Sequence, residues 1–458
     1  MADRGEDPSE QNPEEEFREM LRELLSGSGG IDPSKLAGAA GLPNDPASIA
    51  ALFSQLQQAM NHADDGIDWS VALKQGEQHA ANGQRQLDDA ERARFDQAFQ
   101  VAALWLDETV DVTALPSPPE LLTRRAWVAA TMPVWTQLAE PVALSISDAL
   151  TRVMSEQAPE EMRQMVQGAS RMMRSIGGAL FAMQLGQVVG QLSAEVVSGG
   201  DIGIPIIEDG RAAVLPQNVA AFGDGLDVDS SEVELYLAVR ELAHARLFRH
   251  AKWLRLHFIT AITSFARGID IDTGRLEELA ESFDPSNTEA LREAVVSGAL
   301  IRPKSEAQQA ALARIETMLA LVEGWVDVVT AEATARLPKS VAIAETIRRR
   351  RASGGPAESA LATLVGLELR PRRLREAAAM WRAVTDAVGV EQRDAMWSHP
   401  DLLPTAADLD DPAVLIARLT GETPIDAEDA EFDEALEQLL RGETPAGPGE
   451  DGEEPPKA

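Results

Sequence analysis

The sequence contains no cysteine, a single tyrosine and only six histidines among its 458 residues. Without cysteine there is no disulfide framework, no thiolate metal site and no cysteine nucleophile. Basic residues are scarce beside acidic ones: 41 Lys and Arg face 75 Asp and Glu, a formal net charge of −34. That balance argues against nucleic acid or an anionic membrane as the main partner. The opening residues MADRGEDPSEQNPEEE hold no apolar stretch, so no secretory leader is expected and the expected location is cytoplasmic. Several catalytic signatures are also missing. There is no Gly-x-Ser-x-Gly elbow, no P-loop, no Gly-x-Gly-x-x-Gly after a strand, and no second Glu-x-x-His for a di-iron bundle.

The acid is concentrated at the ends. Residues 1–24 carry nine Asp/Glu against three Arg, and residues 420–458 carry thirteen against Arg441 and Lys457. Together they account for half of the −34. Gly27 to Gly30 and Pro445 to Pro456 add breakers, and both ends read as solvated tails. Short amphipathic pieces, Phe17 to Leu25 and Phe432 to Leu440, are candidates for transient helices. The expected organisation is an acidic, Gly-rich, mostly disordered region with short helices over 1–85, a helical domain over 86–418, and a disordered acidic tail over 419–458. With 44% hydrophobic residues the middle can bury a sizeable core.

Between the tails, apolar residues recur at three and four in segments rich in Ala, Leu, Glu and Arg. The pattern predicts helices over 90–108, 119–131, 142–155, 158–197, 231–266, 286–299, 305–337, 339–351, 372–388 and 427–440. Ser305-x-x-Gln308 and Ser231-x-x-Glu234 have the form of capping boxes. No fixed repeat period appears, which excludes a solenoid. One stretch differs: Ile204 to Leu215 places two apolar runs around Asp209-Gly210 and predicts a tight β-hairpin.

Ser175 to Ala194 is uncharged and as long as a membrane span, but Gln184, Gln187 and Gln191 and its glycines suit lipid poorly. Gly178, Ala182, Gly186, Gly190 and Ala194 form a stripe of small residues that predicts a buried helix closely approached by another. No membrane contact is expected. A basic island over 336–382 gathers Arg348 to Arg351, Arg370, Arg372, Arg373 and Arg375. Such an island binds phosphate groups or pairs with the protein's own carboxylates. The lack of interleaved aromatics favours pairing, with no nucleic acid as partner. The acidic tails are a further candidate occupant of the island.

Three of the six histidines fall in one predicted helix: His244, His250 and His257. Glu241 and His244 are three apart and share a face. This is the register of the zinc-protease signature, in which two histidines four apart bind the metal and the intervening Glu polarises water. Arg240 stands where the first histidine would be, and a guanidinium cannot ligate a metal. His250 lies about 240° around and about 9 Å along a straight helix from His244, too far to share an ion. With no cysteine, any metal must be held by His and carboxylate alone, and spacing supplies Glu241 and His244 at most.

Three stretches taken together resemble a known family. They are Gln184-Leu-Gly-Gln-Val-Val-Gly190 with Gly203-Ile-Pro-Ile206; Arg240-Glu-Leu-Ala-His-Ala-Arg-Leu-Phe248 with Trp253-Leu-Arg255; and a block from Gly354 to Pro412 that includes Leu364 to Glu376 and Trp397 to Pro404. They resemble the zinc-dependent metalloprotease family, also labelled hydrolases, found mainly in actinobacteria, over roughly residues 90–415. The resemblance implies a mainly α, multi-helix zincin-like domain with one short β-hairpin beside the Glu241/His244 helix, its edge holding an extended substrate. It implies a peptide or protein substrate, zinc as cofactor, Glu241 as general base, His244 as ligand and Tyr236 as polarising group. It also implies a third ligand at Glu323, in Glu323-Gly-Trp-Val-Asp327, with Asp327 and His250 as further site candidates. Arg240 departs from the pattern. It leaves two functions open: a zinc-dependent hydrolase with a degenerate motif, or a catalytically inactive zincin-derived binding or scaffold protein in which the guanidinium takes the charge role of the metal.

Overall fold

The structure, a computed structural model, describes residues 67–157, 163–269, 302–352 and 373–421, with the single positions 274 and 362. The helices expected over 286–299 and 427–440, both amphipathic tail pieces, and Arg370 and Arg372 lie outside the described residues. Twelve helices make up nearly all of what is described. They are α1 (Ser70–Ala81), α2 (Asp89–Asp107), α3 (Arg124–Gln157), α4 (Arg163–Leu192), α5 (Pro216–Gly223) and α6 (Ser230–His250). The chain continues through α7 (Trp253–Ala266), α8 (Glu306–Ala333), α9 (Ser340–Ala352), α10 (Leu374–Ala395), α11 (Ala406–Asp410) and α12 (Pro412–Thr420). The fold is mainly α, as the periodicity predicts. No helix among the described residues is long and apolar enough to cross a membrane.

Local chemistry sets several ends. Ser305 and Gln308 form the reciprocal capping box that starts α8. At α6 the expected Ser231 box gives way to Asp229, whose carboxylate accepts the Ser231 backbone N–H. Tertiary packing overrides local signals elsewhere. Pro133 and Pro141 break the apolar pattern into two predicted helices, yet α3 runs through both. Trp127, Val128, Val134, Trp135 and Leu138 are buried along it, and that burial outweighs the lost helical hydrogen bonds. Residues 231–266 are two helices rather than one, parted after His250.

The small-residue stripe on α4 does what its spacing predicts. A Cβ on Gly186 would lie 2.3 Å from the Ala72 carbonyl oxygen, and one on Gly190 would lie 2.7 Å from His79 Cβ. The helix that comes so close is α1. Ala194 lies past the end of α4 and plays no part.

The predicted hairpin is not formed. Ile204, Ile206 and Ile207 are buried in the core rather than paired, and Pro205 has no N–H to give a ladder. Instead β2 (Ala213–Val214) pairs in parallel with β1 (Glu120–Leu121), a partner more than ninety residues earlier in the chain. Ser198 bridges Val214 in the antiparallel sense on the other side, where Gly199 N donates to Ala213 O at 2.8 Å. Both edges of β2 are therefore taken, so it offers no open edge to an extended substrate.

Helix α6 is the centre of the molecule. It packs on α2, α5, α8 and α9, and nearly every residue from Val233 to Phe248 is buried, on all its faces. Five of those residues, Glu234, Arg240, Glu241, His244 and Arg246, are polar or charged. Charge in such a position must be paired, and the pairings of Arg240, Glu241 and His244 build the candidate site.

Candidate functional site

Arg240 and His244 are one turn apart on α6 and meet a single carboxylate, Glu323 on α8. The Arg240 guanidinium bonds Oε2 of Glu323, and Nε2 of His244 lies 3.1 Å from Oε1. Arg351 of α9 adds a second guanidinium, 2.9 Å from Oε2. Arg240, Glu323 and His244 are each 5% exposed or less. Burial would raise the Glu323 pKa, but Arg351, Arg240 and His244 together hold it well below the usual carboxylate range. Burial works against the Arg240 cation, yet Glu323 and its other neighbours keep its pKa above the ordinary value. For His244 burial prevails and lowers the pKa, against the pull of the Glu323 carboxylate. Its Nε2 faces Glu323 Oε1 and its Nδ1 faces the Arg240 carbonyl oxygen, each at 3.1 Å, two acceptors of which a neutral ring can donate to one.

Glu241 points another way. Its Oε2 accepts the Gly200 N–H and its Oε1 the Ala213 N–H, both at 2.8 Å. The carboxylate thus ties α6 to β2 and to the 198–203 loop. Burial pushes its pKa up to about 7, against the pull of these N–H bonds and of Ser198. The loop lies directly on the site. A Cβ on Gly200 would fall 2.4 Å from His244 Cβ, and one on Gly203 would fall 2.7 Å from Glu323 Oε1. Gly203 also has φ +76°, open to glycine at no steric cost. Asp201 between them is held by Arg350 and Arg351. Backbone therefore fills the space next to His244 and Glu323 that a scissile bond would need.

Beside this sealed cluster opens a cleft of about 320 Å³. Arg240 and Glu323 reach it from below, and Asp327, Arg348, Arg351, Arg375 and Arg382 line it. Glu241, His244 and Tyr236 do not. The Tyr236 phenol is 1% exposed, and burial pushes its pKa up to about 12. Asp327 follows Glu323 by one turn on α8 and accepts both N–H bonds from Arg348 Nη2, at 2.9 and 3.2 Å, with Arg382 at 3.7 Å. His250 is exposed at the end of α6, remote from the cluster in the way its spacing predicts.

The structure thus brings Arg240, His244 and Glu323 together, sets Asp327 in the adjoining cleft, and turns Glu241 away from it. The basic island pairs with the protein's own carboxylates at every described position of Arg348 to Arg351: with Asp327, Glu345, Asp201 and Glu323. Sequence reasoning missed Arg351 as a partner of Glu323 and the Gly200 loop as a cover. The arginine run gave a signal for the first. Nothing local marked the second.

A zincin-like site calls for zinc, and the donors here do not suit it. A structural or catalytic zinc takes at least three protein donors, and among the described residues no group of three or more His, Asp or Glu is placed to hold an ion. The first ligand position is Arg240, and two guanidinium groups already neutralise Glu323 on the oxygen facing away from His244.

The sequence matches the zincin-like metallopeptidase family over residues 67–416. No curated protein matches it significantly. Among solved structures, a candidate hydrolase with a novel fold from Chloroflexus aurantiacus is similar, with a TM-score of 0.53 and 19% identity. The match covers 77% of this chain and 99% of that one. At this identity the likeness is one of fold.

Proposed function

Since the chain belongs to the zincin-like metallopeptidase family, we propose that it is a zincin-derived binding protein in which a guanidinium has replaced the metal. One observation carries this reading: Arg240, at the first ligand position, is bonded to Glu323, whose other carboxylate oxygen meets His244. A fixed organic cation neutralises the carboxylate that a zinc ion would otherwise hold, and His244 meets that carboxylate directly. The burial of Glu241 against two backbone N–H groups supports the same reading, because a general base must reach water beside the substrate. The test is metal analysis of protein purified without chelator. Zinc well below one equivalent is expected, with an increase in the Arg240→His variant. Stoichiometric zinc in the wild type, together with peptidase activity lost in Glu241→Gln, would sink the proposal.

A zinc-dependent hydrolase acting on a peptide or protein is the second reading, and one distance favours it. His244 Nε2 and Glu323 Oε1 are 3.1 Å apart, close to the roughly 3.3 Å between two donors about 2.0 Å from one tetrahedral zinc. The two guanidinium groups on Glu323 oppose a dication there, and the same metal analysis decides.

A further inference from the structure

The cleft over Arg240 and Glu323 is basic in a strongly acidic protein. Two of its walls are helix faces. On α10, Arg375, Ala378 and Arg382 recur at three and four and so share one face. On α9, Arg348 and Arg351 are three apart and share another. Between the walls the floor is α8, with Glu323 and Asp327. Five arginines line the cleft with three carboxylates, the third being Glu345. The lining therefore has two more positive charges than negative ones. Arg375 and Arg382 are exposed at the mouth, with Arg382 retaining 52% of its side-chain surface.

We propose that this cleft binds a small phosphate-bearing molecule, held between the arginines of α9 and those of α10. The excess of two positive charges matches a phosphate monoester dianion. Guanidinium forks bond phosphate and carboxylate oxygens alike, but a planar carboxylate presents both oxygens to one fork, whereas tetrahedral phosphate oxygens reach both walls at once. The size of the cleft, about 320 Å³, is that of a small-molecule site. The net charge of −34 repels long polyanions such as nucleic acid, while screening over about 8 Å at physiological salt leaves a small anion under the local field of the arginines. This deepens the binding-protein reading and rests on it only in that Arg240 stays paired with Glu323 rather than yielding to a metal.

Calorimetric titration of the full chain with inorganic phosphate and phenyl phosphate tests the proposal, with tricarballylate as the carboxylate probe. Saturable phosphate binding is expected, weakened by added salt and weakened about tenfold or more in Arg375→Gln/Arg382→Gln. Both arginines are outside the core, so the double variant should fold, and circular dichroism verifies that it has. Arg125→Gln, on the distant α3 surface where Arg125 pairs with Glu77, should bind as the wild type does. Absence of phosphate binding at millimolar concentration overturns the proposal, as does binding unchanged in the double variant. So does preference for tricarballylate over both phosphates. Phosphate binding abolished by EDTA overturns it as well, since the anion would then sit on a metal. The metal content of the same sample separates the two ideas: a zinc-free protein that ignores phosphate refutes the ligand and leaves the binding-protein reading standing.

Discussion

Arg240 and Glu323, 83 residues apart in sequence, form a buried ion pair at the place where the zincin register puts a metal. Three cationic or hydrogen-bonding groups converge on this one buried carboxylate. The stability of the centre of the molecule therefore depends on keeping the set complete.

Removing two members together should cost less than the sum of removing each alone. Arg240→Met leaves Glu323 with Arg351 and His244, and Glu323→Gln leaves two guanidinium groups over a neutral amide. Each is expected to destabilise the protein by about 3–5 kcal/mol, the usual cost of a buried charge without its partner. The double variant Arg240→Met/Glu323→Gln should lose less than the sum of the single changes. Urea unfolding of the four proteins measures the coupling, and strict additivity would show that the pair is not an energetic unit.

Glu241 should give stability a distinctive pH dependence. Burial raises its folded pKa from 4.5 to about 7, so the folded chain holds a proton that the unfolded chain has released. Its contribution is fully present below 4.5 and is lost as pH rises through about 7. His244 and Glu323 titrate in both proteins when wild type is compared with Glu241→Gln. The stability difference, wild type minus variant, should therefore fall across that window, by up to about 1.4 kcal/mol per pH unit. A difference that is flat or rises with pH would show that the carboxylate is ionised throughout.

Gly200→Ala should be disruptive although it adds one methyl group. The new carbon would lie 2.4 Å from His244 Cβ and 2.5 Å from Cγ, closer than atoms can sit, and the wall it meets is rigid helix. A loss of about 1–3 kcal/mol is expected, along with loosening of the 198–203 loop. Hydrogen exchange of the Gly200 and Ala213 amides, both bonded to Glu241, reports on the loop directly. Unchanged protection with unchanged stability would contradict the close approach.

Arg240→His is expected to raise zinc uptake, since it supplies the missing donor in a register that already holds His244 and Glu323. Uptake should be limited by Arg351, which still occupies Glu323. Adding Arg351→Gln should therefore increase affinity further, as measured by competition with a chromophoric chelator. Equal zinc binding by wild type and both variants would remove the argument that Arg240 stands in for the metal.

The sequence by itself determined the mainly helical class and most of the long helices, because helical periodicity, the Ser305 capping box and the α4 small-residue stripe are carried by residues a few positions apart. It also placed Arg240, Glu241 and His244 in one register and, through the absence of cysteine, restricted any metal to His and carboxylate ligands. Only the tertiary structure decided the rest. Ala213 finds Glu120 as its strand neighbour instead of completing a hairpin, because the isoleucines before it gain more from core burial and Pro205 lacks a donor. Glu241 turns to the backbone of Gly200 and Ala213, and Glu323 is claimed by Arg351 as well as Arg240. Those choices follow from which buried groups have lost access to water and must find one another. That is settled by packing between helices far apart in the chain, not by the neighbours of any one residue.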